Sequence, residues 1–198
     1  DFFAGVPDSL LKNFCACVTE KSPAESHIIS ANEGSALGLG IGYYLATKNL
    51  PLIYLQNSGL GNAINPLLSL ANEKVYSIPM LLMIGWRGEP GMKDEPQHIH
   101  QGQVMIDMLE SMKLPYFIIE PDTQIGIDIT KKAISLATKN NSPVFLIVKK
   151  NTFTKFSSPK IDSPNLLGRE EALKEILKYV PPQSAIVSTT GMLSRELF

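Results

Sequence analysis

Two stretches, Met80-Leu81-Leu82-Met83-Ile84 and Val144-Phe145-Leu146-Ile147-Val148, contain no polar residue. Each is too short to cross a membrane and is flanked by helical patterns, so each reads as a strand buried on both faces. Phe2-Phe3-Ala4-Gly5-Val6, Ile28-Ile29, Leu52-Ile53-Tyr54-Leu55 and Tyr116-Phe117-Ile118-Ile119 read as further strands. Between them lie a helix opened by Pro7-Asp8-Ser9 and carrying Leu10, Leu11, Phe14 and Val18, and a glycine-striped helix running to about Lys48. Others carry Leu67, Leu68, Leu70 and Ala71, and occupy residues 104–112 and 125–139. Buried strands alternating with helices predict an α/β fold, a mainly parallel sheet flanked by helices. Ligands of such sheets sit at the carboxyl ends of strands. The loops at Asn32, Gln56 and Gly85 all fall there.

The expected organisation is an α/β domain over residues 1–150, a linker over 151–167 poor in apolar residues and carrying Pro159 and Pro164, and a new unit over 168–198. That last unit reads as a helix over 170–179, a strand Ala185-Ile186-Val187, and Thr189-Thr190-Gly191 leading into a fresh helix. The chain starts at Asp1 without a methionine and stops inside this unit, so a fragment of a longer protein is expected. A net charge of -1 gives no electrostatic case for nucleic acid or an anionic membrane. No apolar run approaches the roughly 18 residues a membrane helix needs. Cys15 and Cys17 stand two apart in a helical pattern, on different sides of it, which favours two reduced thiols and a cytoplasmic location.

Asn32 is a good helix cap, and Glu33 falls in the first turn, where a carboxylate meets the positive end of the helix dipole. Gly34, Gly38 and Gly42 share one face of that helix, and each costs about 1 kcal/mol relative to alanine. Such a stripe calls for close approach by something else. Glu33 is then either a dipole acid or a functional one. Gln56-Asn57-Ser58-Gly59-Leu60-Gly61-Asn62 is either an ordinary strand-to-helix turn or a loop presenting backbone N–H groups to an anion. Residues 85–102 read as one long polar loop holding the only tryptophan, Trp86, with Arg87, Lys93, Gln97, His98 and His100. It is either a solvated surface loop or a substrate loop in which Arg87 and Lys93 bind an anion and a histidine moves protons. Gly38-Leu39-Gly40-Ile41-Gly42-Tyr43 lacks the last glycine of a dinucleotide fingerprint, and neither a phosphate-loop lysine motif nor zinc-ligand spacing occurs.

Asn32-Glu33-Gly34, the glycine-rich helix and Gln56-Asn57-Ser58-Gly59-Leu60-Gly61-Asn62 together resemble the pyrimidine-binding domain of thiamine-diphosphate-dependent decarboxylases. Gly5-Val6-Pro7-Asp8-Ser9, Gly85-Trp86-Arg87-Gly88-Glu89-Pro90-Gly91 and Asp94-Glu95-Pro96-Gln97-His98 most resemble the branch acting on phosphonopyruvate. The sulfopyruvate branch has a closely similar loop. Thr189-Thr190-Gly191 with Ser194-Arg195-Glu196-Leu197 is similar to the opening of the family's diphosphate-binding domain. The resemblance implies that Glu33 is catalytic, hydrogen-bonding a ring nitrogen of thiamine diphosphate and so activating its thiazolium carbon. It further implies that Gln56, Asn57, Gly59 and Asn62 meet the cofactor, and that Arg87, Lys93, Gln97 and His98 meet a small 2-oxo acid carrying a phosphonate. The Gly-Asp-Gly motif that holds the diphosphate and Mg²⁺ in the family is not found, so no metal ligand is expected in this chain. A homo-oligomer with its site shared between subunits is implied. The competing reading is a non-catalytic partner subunit or anion-binding module.

Overall fold

The computed structural model describes residues 1–157, 167–188 and 192–197, and divides the chain into two compact units, Asp1–Ser158 and Pro159–Phe198. The first unit is built on six strands: Phe3–Gly5 (β1), His27–Ile29 (β2), Leu52–Gln56 (β3), Met80–Gly85 (β4), Tyr116–Ile119 (β5) and Pro143–Val148 (β6). Every pairing is parallel, in the order β2-β1-β3-β4-β6-β5. The two wholly apolar runs, β4 and β6, pair with each other and are buried at every position. That is the place in the sheet where both faces are covered.

Helices cover both faces. Glu33–Thr47 (α2), Leu60–Pro66 (α3) and Pro96–Ser111 (α4) pack over Ala4, Ile53, Leu55, Leu82, Ile84, Phe145 and Ile147. On the opposite face, Lys12–Lys21 (α1) and Thr123–Asn140 (α5) cover Tyr54, Leu81, Met83, Val144, Leu146 and Val148. Alternate strand residues thus supply the two cores, as a two-residue side-chain period requires. The turns that bring the chain back to the amino edge carry Lys48, Ser77, Lys113 and Asn141 in the left-handed backbone region. No helix among the described residues is long and apolar enough to cross a membrane.

Several elements differ from the sequence-based expectation. Pro7-Asp8-Ser9 does not open α1. The Asp8 side chain accepts the Leu10 N–H (2.9 Å) and its carbonyl accepts the Leu11 N–H (3.1 Å), closing a turn before the helix starts at Lys12. The polar segment 85–102 is a loop only as far as Glu95. Pro96 lacks an N–H and has a preset φ, which suits the first position of a helix, so Gln97, His98 and His100 lie on α4. After Pro66, which has no N–H to donate, α3 widens into one π-helical turn, Leu67–Ala71.

Residues 151–157 do not run free. Phe153 stacks on Phe14 (5.9 Å between centroids), and Asn13 bonds the main chain of Phe153 and Phe156. In the second unit, Arg169–Leu177 (α6) and Met192–Glu196 (α7) are joined by an Arg169–Glu196 ion pair. Ala185-Ile186-Val187 forms no strand, and Val187 is 95% exposed, since no neighbouring described strand offers it a ladder. Thr189-Thr190-Gly191 lies outside the described residues.

Two glycine substitutions should have opposite effects. A Cβ at Gly5 would lie 2.1 Å from the Tyr54 carbonyl oxygen, whereas one at Gly38 meets nothing within 4 Å. Gly5→Ala should cost about 1–3 kcal/mol through overpacking. Gly38→Ala should stabilise this chain by up to about 1 kcal/mol through helix propensity. Urea unfolding of both variants checks the pair; a loss of stability in Gly38→Ala would mean that the open helix face is covered in solution.

Candidate active site

The strand order reverses next to β1: β2 lies on one side of it and β3 on the other. Such a switch point opens a crevice at the carboxyl edge of a parallel sheet. The loops following β1, β2, β3, β4 and β6 all open onto this edge. They bring Asp8 and Ser9, Glu33, Gln56 to Asn62, Arg87 to Asp94, and Lys149 with Lys150 to one side of the molecule.

Glu33 is the first residue of α2. Its helix is capped by Asn32, whose Oδ1 accepts the Ser35 N–H (2.9 Å). Although charged, Glu33 is only 9% exposed. Asn62, from α3, donates its amide to Oε2 (2.8 Å), and the side chain lies directly on Gly59. A Cβ at Gly59 would fall 2.1 Å from Glu33 Oε1, so only glycine leaves room for this carboxylate. Gly34 packs against the Asn62 carbonyl, but Gly38 and Gly42 face an open groove lined by Phe2, Ile28, Leu39 and Tyr43. Within this chain, the close approach expected along the stripe is therefore made at Gly34 alone.

Asn57 is buried, and both ends of its amide are occupied. Nδ2 donates to the Arg87 carbonyl (2.7 Å), and Oδ1 accepts the Arg87 N–H (3.1 Å). It therefore locks the loop after β4 onto the loop after β3. Gln56 accepts the Ser58 hydroxyl. The Arg87 guanidinium forks onto Asp94 through Nε and Nη2 and donates from Nη1 to the Ser9 hydroxyl (2.9 Å). Asp94 also accepts the N–H groups of Gly88 and Glu95, each at 2.8 Å. Gly88 has φ +70°, and a Cβ there would strike the His98 carbonyl. The loop is thus folded tightly onto α4, with Trp86 buried and donating to the Gly102 carbonyl (2.9 Å). Lys93 and Gln97 are exposed, and His98 Nδ1 is buried without a partner.

Asp8, within Gly5-Val6-Pro7-Asp8-Ser9, is a further residue of this edge that the sequence does not mark as a site residue. It is 6% exposed, its Oδ1 has no partner, and Oδ2 lies against Gly85. Burial pushes its carboxyl above the usual range, opposed by the Leu10 N–H and the charge of Arg87. Asp94 goes the other way, held well below that range by its hydrogen bonds from Arg87. Burial also raises the Cys15 thiol, to about 11, which leaves it protonated at neutral pH. A cavity of about 490 Å³ lined by Ile119, Asp122, Thr130 and Phe153 holds none of the expected site residues. Among the described residues no group of three or more His, Cys, Asp or Glu side chains is placed to hold a metal.

The two aspartates should shape acid stability with opposite signs. A depressed carboxyl stabilises the fold fully above its unfolded pKa, near 4, and loses that contribution as pH falls further. A raised carboxyl makes the fold relatively more stable as pH falls toward 4. Relative to Asp94→Asn, the wild-type chain should lose ground below about pH 4. Relative to Asp8→Asn, it should gain ground between pH 7 and 4. Urea midpoints of the three proteins from about pH 7 down to about pH 2 measure both slopes.

The chain is similar to known proteins. Residues 1–111 match the family model described as thiamine pyrophosphate enzyme, N-terminal TPP binding domain. A phosphonopyruvate decarboxylase of Streptomyces viridochromogenes is 33% identical over 98% of this chain, which spans about half (52%) of that relative's length. The sulfopyruvate decarboxylase subunit alpha of Methanococcus maripaludis is 33% identical over 75% of this chain and 85% of its own. Benzoylformate decarboxylase from Polynucleobacter necessarius shares the fold, with a TM-score of 0.59 at 17% identity over 89% of this chain and 33% of the other. With a family match over more than half its residues, the chain belongs to the thiamine pyrophosphate enzymes, as their N-terminal TPP-binding domain.

Proposed function

We propose that this chain forms the aminopyrimidine side of a thiamine-diphosphate-dependent 2-oxo acid decarboxylase whose substrate is phosphonopyruvate, giving phosphonoacetaldehyde and carbon dioxide. The observation that carries the reading is Glu33: a nearly buried acid at the mouth of a helix, fixed by Asn62 and given room by Gly59. That setting suits a nitrogen heterocycle that exchanges a proton with a carboxyl group. Bound thiamine diphosphate supplies the nucleophilic carbon and the electron sink that decarboxylation requires. Glu33 holds the proton at the ring nitrogen, and Asn62 keeps its carboxyl aimed. Asn57 positions Arg87 by gripping its main chain, and does so with both polar atoms of its amide.

Arg87 has five N–H donors. Asp94 and Ser9 engage three of its directions, which leaves one N–H on each terminal nitrogen for a substrate anion. Lys93 stands beside it on the same cavity. In this reading Gln97 and His98, on the first turn of α4, border the substrate. Mg²⁺ and the diphosphate are met by a diphosphate-binding domain, in a homo-oligomer whose site is shared between subunits. The likeness to sulfopyruvate decarboxylase alpha subunits favours sulfopyruvate as the second reading. Both substrates present a tetrahedral anion next to a 2-oxo acid.

The proton role of Glu33 is tested in the complete enzyme saturated with cofactor and Mg²⁺. Glu33→Gln keeps the size and one hydrogen bond but cannot carry the proton. Hydrogen–deuterium exchange at the thiazolium carbon, followed by quenched-flow NMR, should slow about 10²–10⁴-fold, the range expected for loss of an acid–base group. Exchange at the wild-type rate would remove Glu33 from the reaction. Comparing turnover of phosphonopyruvate and sulfopyruvate then separates the two substrates.

A further inference from the structure

A cavity of about 200 Å³ is lined by Ser9 and Leu10 after β1, by Trp86, Arg87, Glu89, Met92, Lys93 and Asp94 after β4, and by Lys150 after β6. We infer that Lys150 is a specificity-determining residue that seats the terminal tetrahedral anion of the substrate in this cavity, an inference that rests on the decarboxylase reading above.

The charge pattern supplies the first argument. The lining holds three cations, Arg87, Lys93 and Lys150, and two acids, Glu89 and Asp94. Both acids are already answered: Asp94 by the Arg87 fork, and Glu89 by Lys149 at 3.1 Å. Lys93 and Lys150 have no ion-pair partner among the described residues. Two uncompensated lysines on the lining of one small cavity favour an oxyanion.

The second argument is size. At about 30 Å³ per water, the cavity holds roughly six or seven waters, which is room enough for a phosphonate or sulfonate with a short carbon chain. The third is rigidity. Both lysines are exposed, but Lys93 sits on the loop whereas Lys150 follows β6 directly, and its neighbours are tied down. The Lys149 ammonium bridges Glu89 and Glu120, and its carbonyl accepts the Thr152 hydroxyl (2.9 Å). The backbone that carries Lys150 is therefore held at the sheet edge before any ligand arrives. Its sequence signal is faint: a lysine pair closing an apolar strand resembles an ordinary solvated strand end.

The only tryptophan of the chain, Trp86, lines the same cavity and reports its occupancy. Its fluorescence should change saturably as methylphosphonate or methanesulfonate is titrated into the chain at low ionic strength, and the two arms show which headgroup is preferred. Lys150→Met should weaken binding of the preferred anion at least ten-fold, while Lys139→Met, on the far end of α5, should not. No saturable change in the wild type, or equal binding by Lys150→Met, overturns the assignment. In the complete enzyme, the kcat/KM ratio of the anionic substrate over pyruvate should fall at least ten-fold in Lys150→Met, and an unchanged ratio also overturns it. If the complete enzyme decarboxylates no 2-oxo acid, the functional reading fails by itself, and the fluorescence titration still decides whether the cavity is an anion site dependent on Lys150.

Discussion

The carboxyl edge is organised around one buried amide. Asn57 spends its donor and its acceptor on the main chain of Arg87, 30 residues further along the chain. Buried, such a group costs about 1–3 kcal/mol if left unpaired, so the two loops can separate only at that cost. Everything downstream inherits this constraint. With the Arg87 backbone fixed, its guanidinium reaches Asp94 and Ser9, and Asp94 in turn binds the N–H groups of Gly88 and Glu95. The polar loop is folded back in this way onto the start of α4, and a cavity is left between it and the sheet.

Glu33 depends on a similar economy of space. An acid at a helix start is ordinarily solvated, and its stabilisation by the dipole is modest. Here the side chain is covered because Gly59 has no Cβ and Asn62 supplies a donor. Gly59 lies in the turn after β3 and Asn62 on the helix that follows it, whereas Glu33 follows β2. Their meeting is a product of the parallel sheet, since β1 stands between their strands and carries both loops to the same edge.

Much of this was legible in the chain. β4 and β6 announce themselves because a strand buried on both faces has no polar alternation, and the Asn32 cap with Glu33 marks the start of α2 unambiguously. What stayed hidden has physical causes. The prolines of residues 85–102 read as loop punctuation, yet Pro96 begins a helix, because its missing N–H costs nothing at that position. The packing role of Asn57 was hidden because an amide in a turn has the same sequence signature whether it faces a ligand or a backbone. Asp8 was overlooked for a related reason: aspartate before serine reads as a helix cap, and only the fold shows it buried against Gly85. The apolar triplet at Ala185 has the composition of a strand, but strands need partners, and none is described beside it.

The four non-glycine residues with left-handed backbone in the first unit's returning turns, Lys48, Ser77, Lys113 and Asn141, all lie at the amino edge of the sheet. At the three positions that are not asparagine, the left-handed region carries about 1–2 kcal/mol of strain, whereas asparagine visits it readily. At the carboxyl edge the left-handed positions are Gly88 and Gly91 in the loop after β4 and Asn151 after β6, residue types that visit this region readily. The two rims of the sheet are therefore under different pressures. One is shaped closely by what it must hold, and the other tolerates poor local choices because only chain reversal is asked of it. Stability in such a domain can drift, and be recovered, along the amino rim without any change in the geometry of the carboxyl edge.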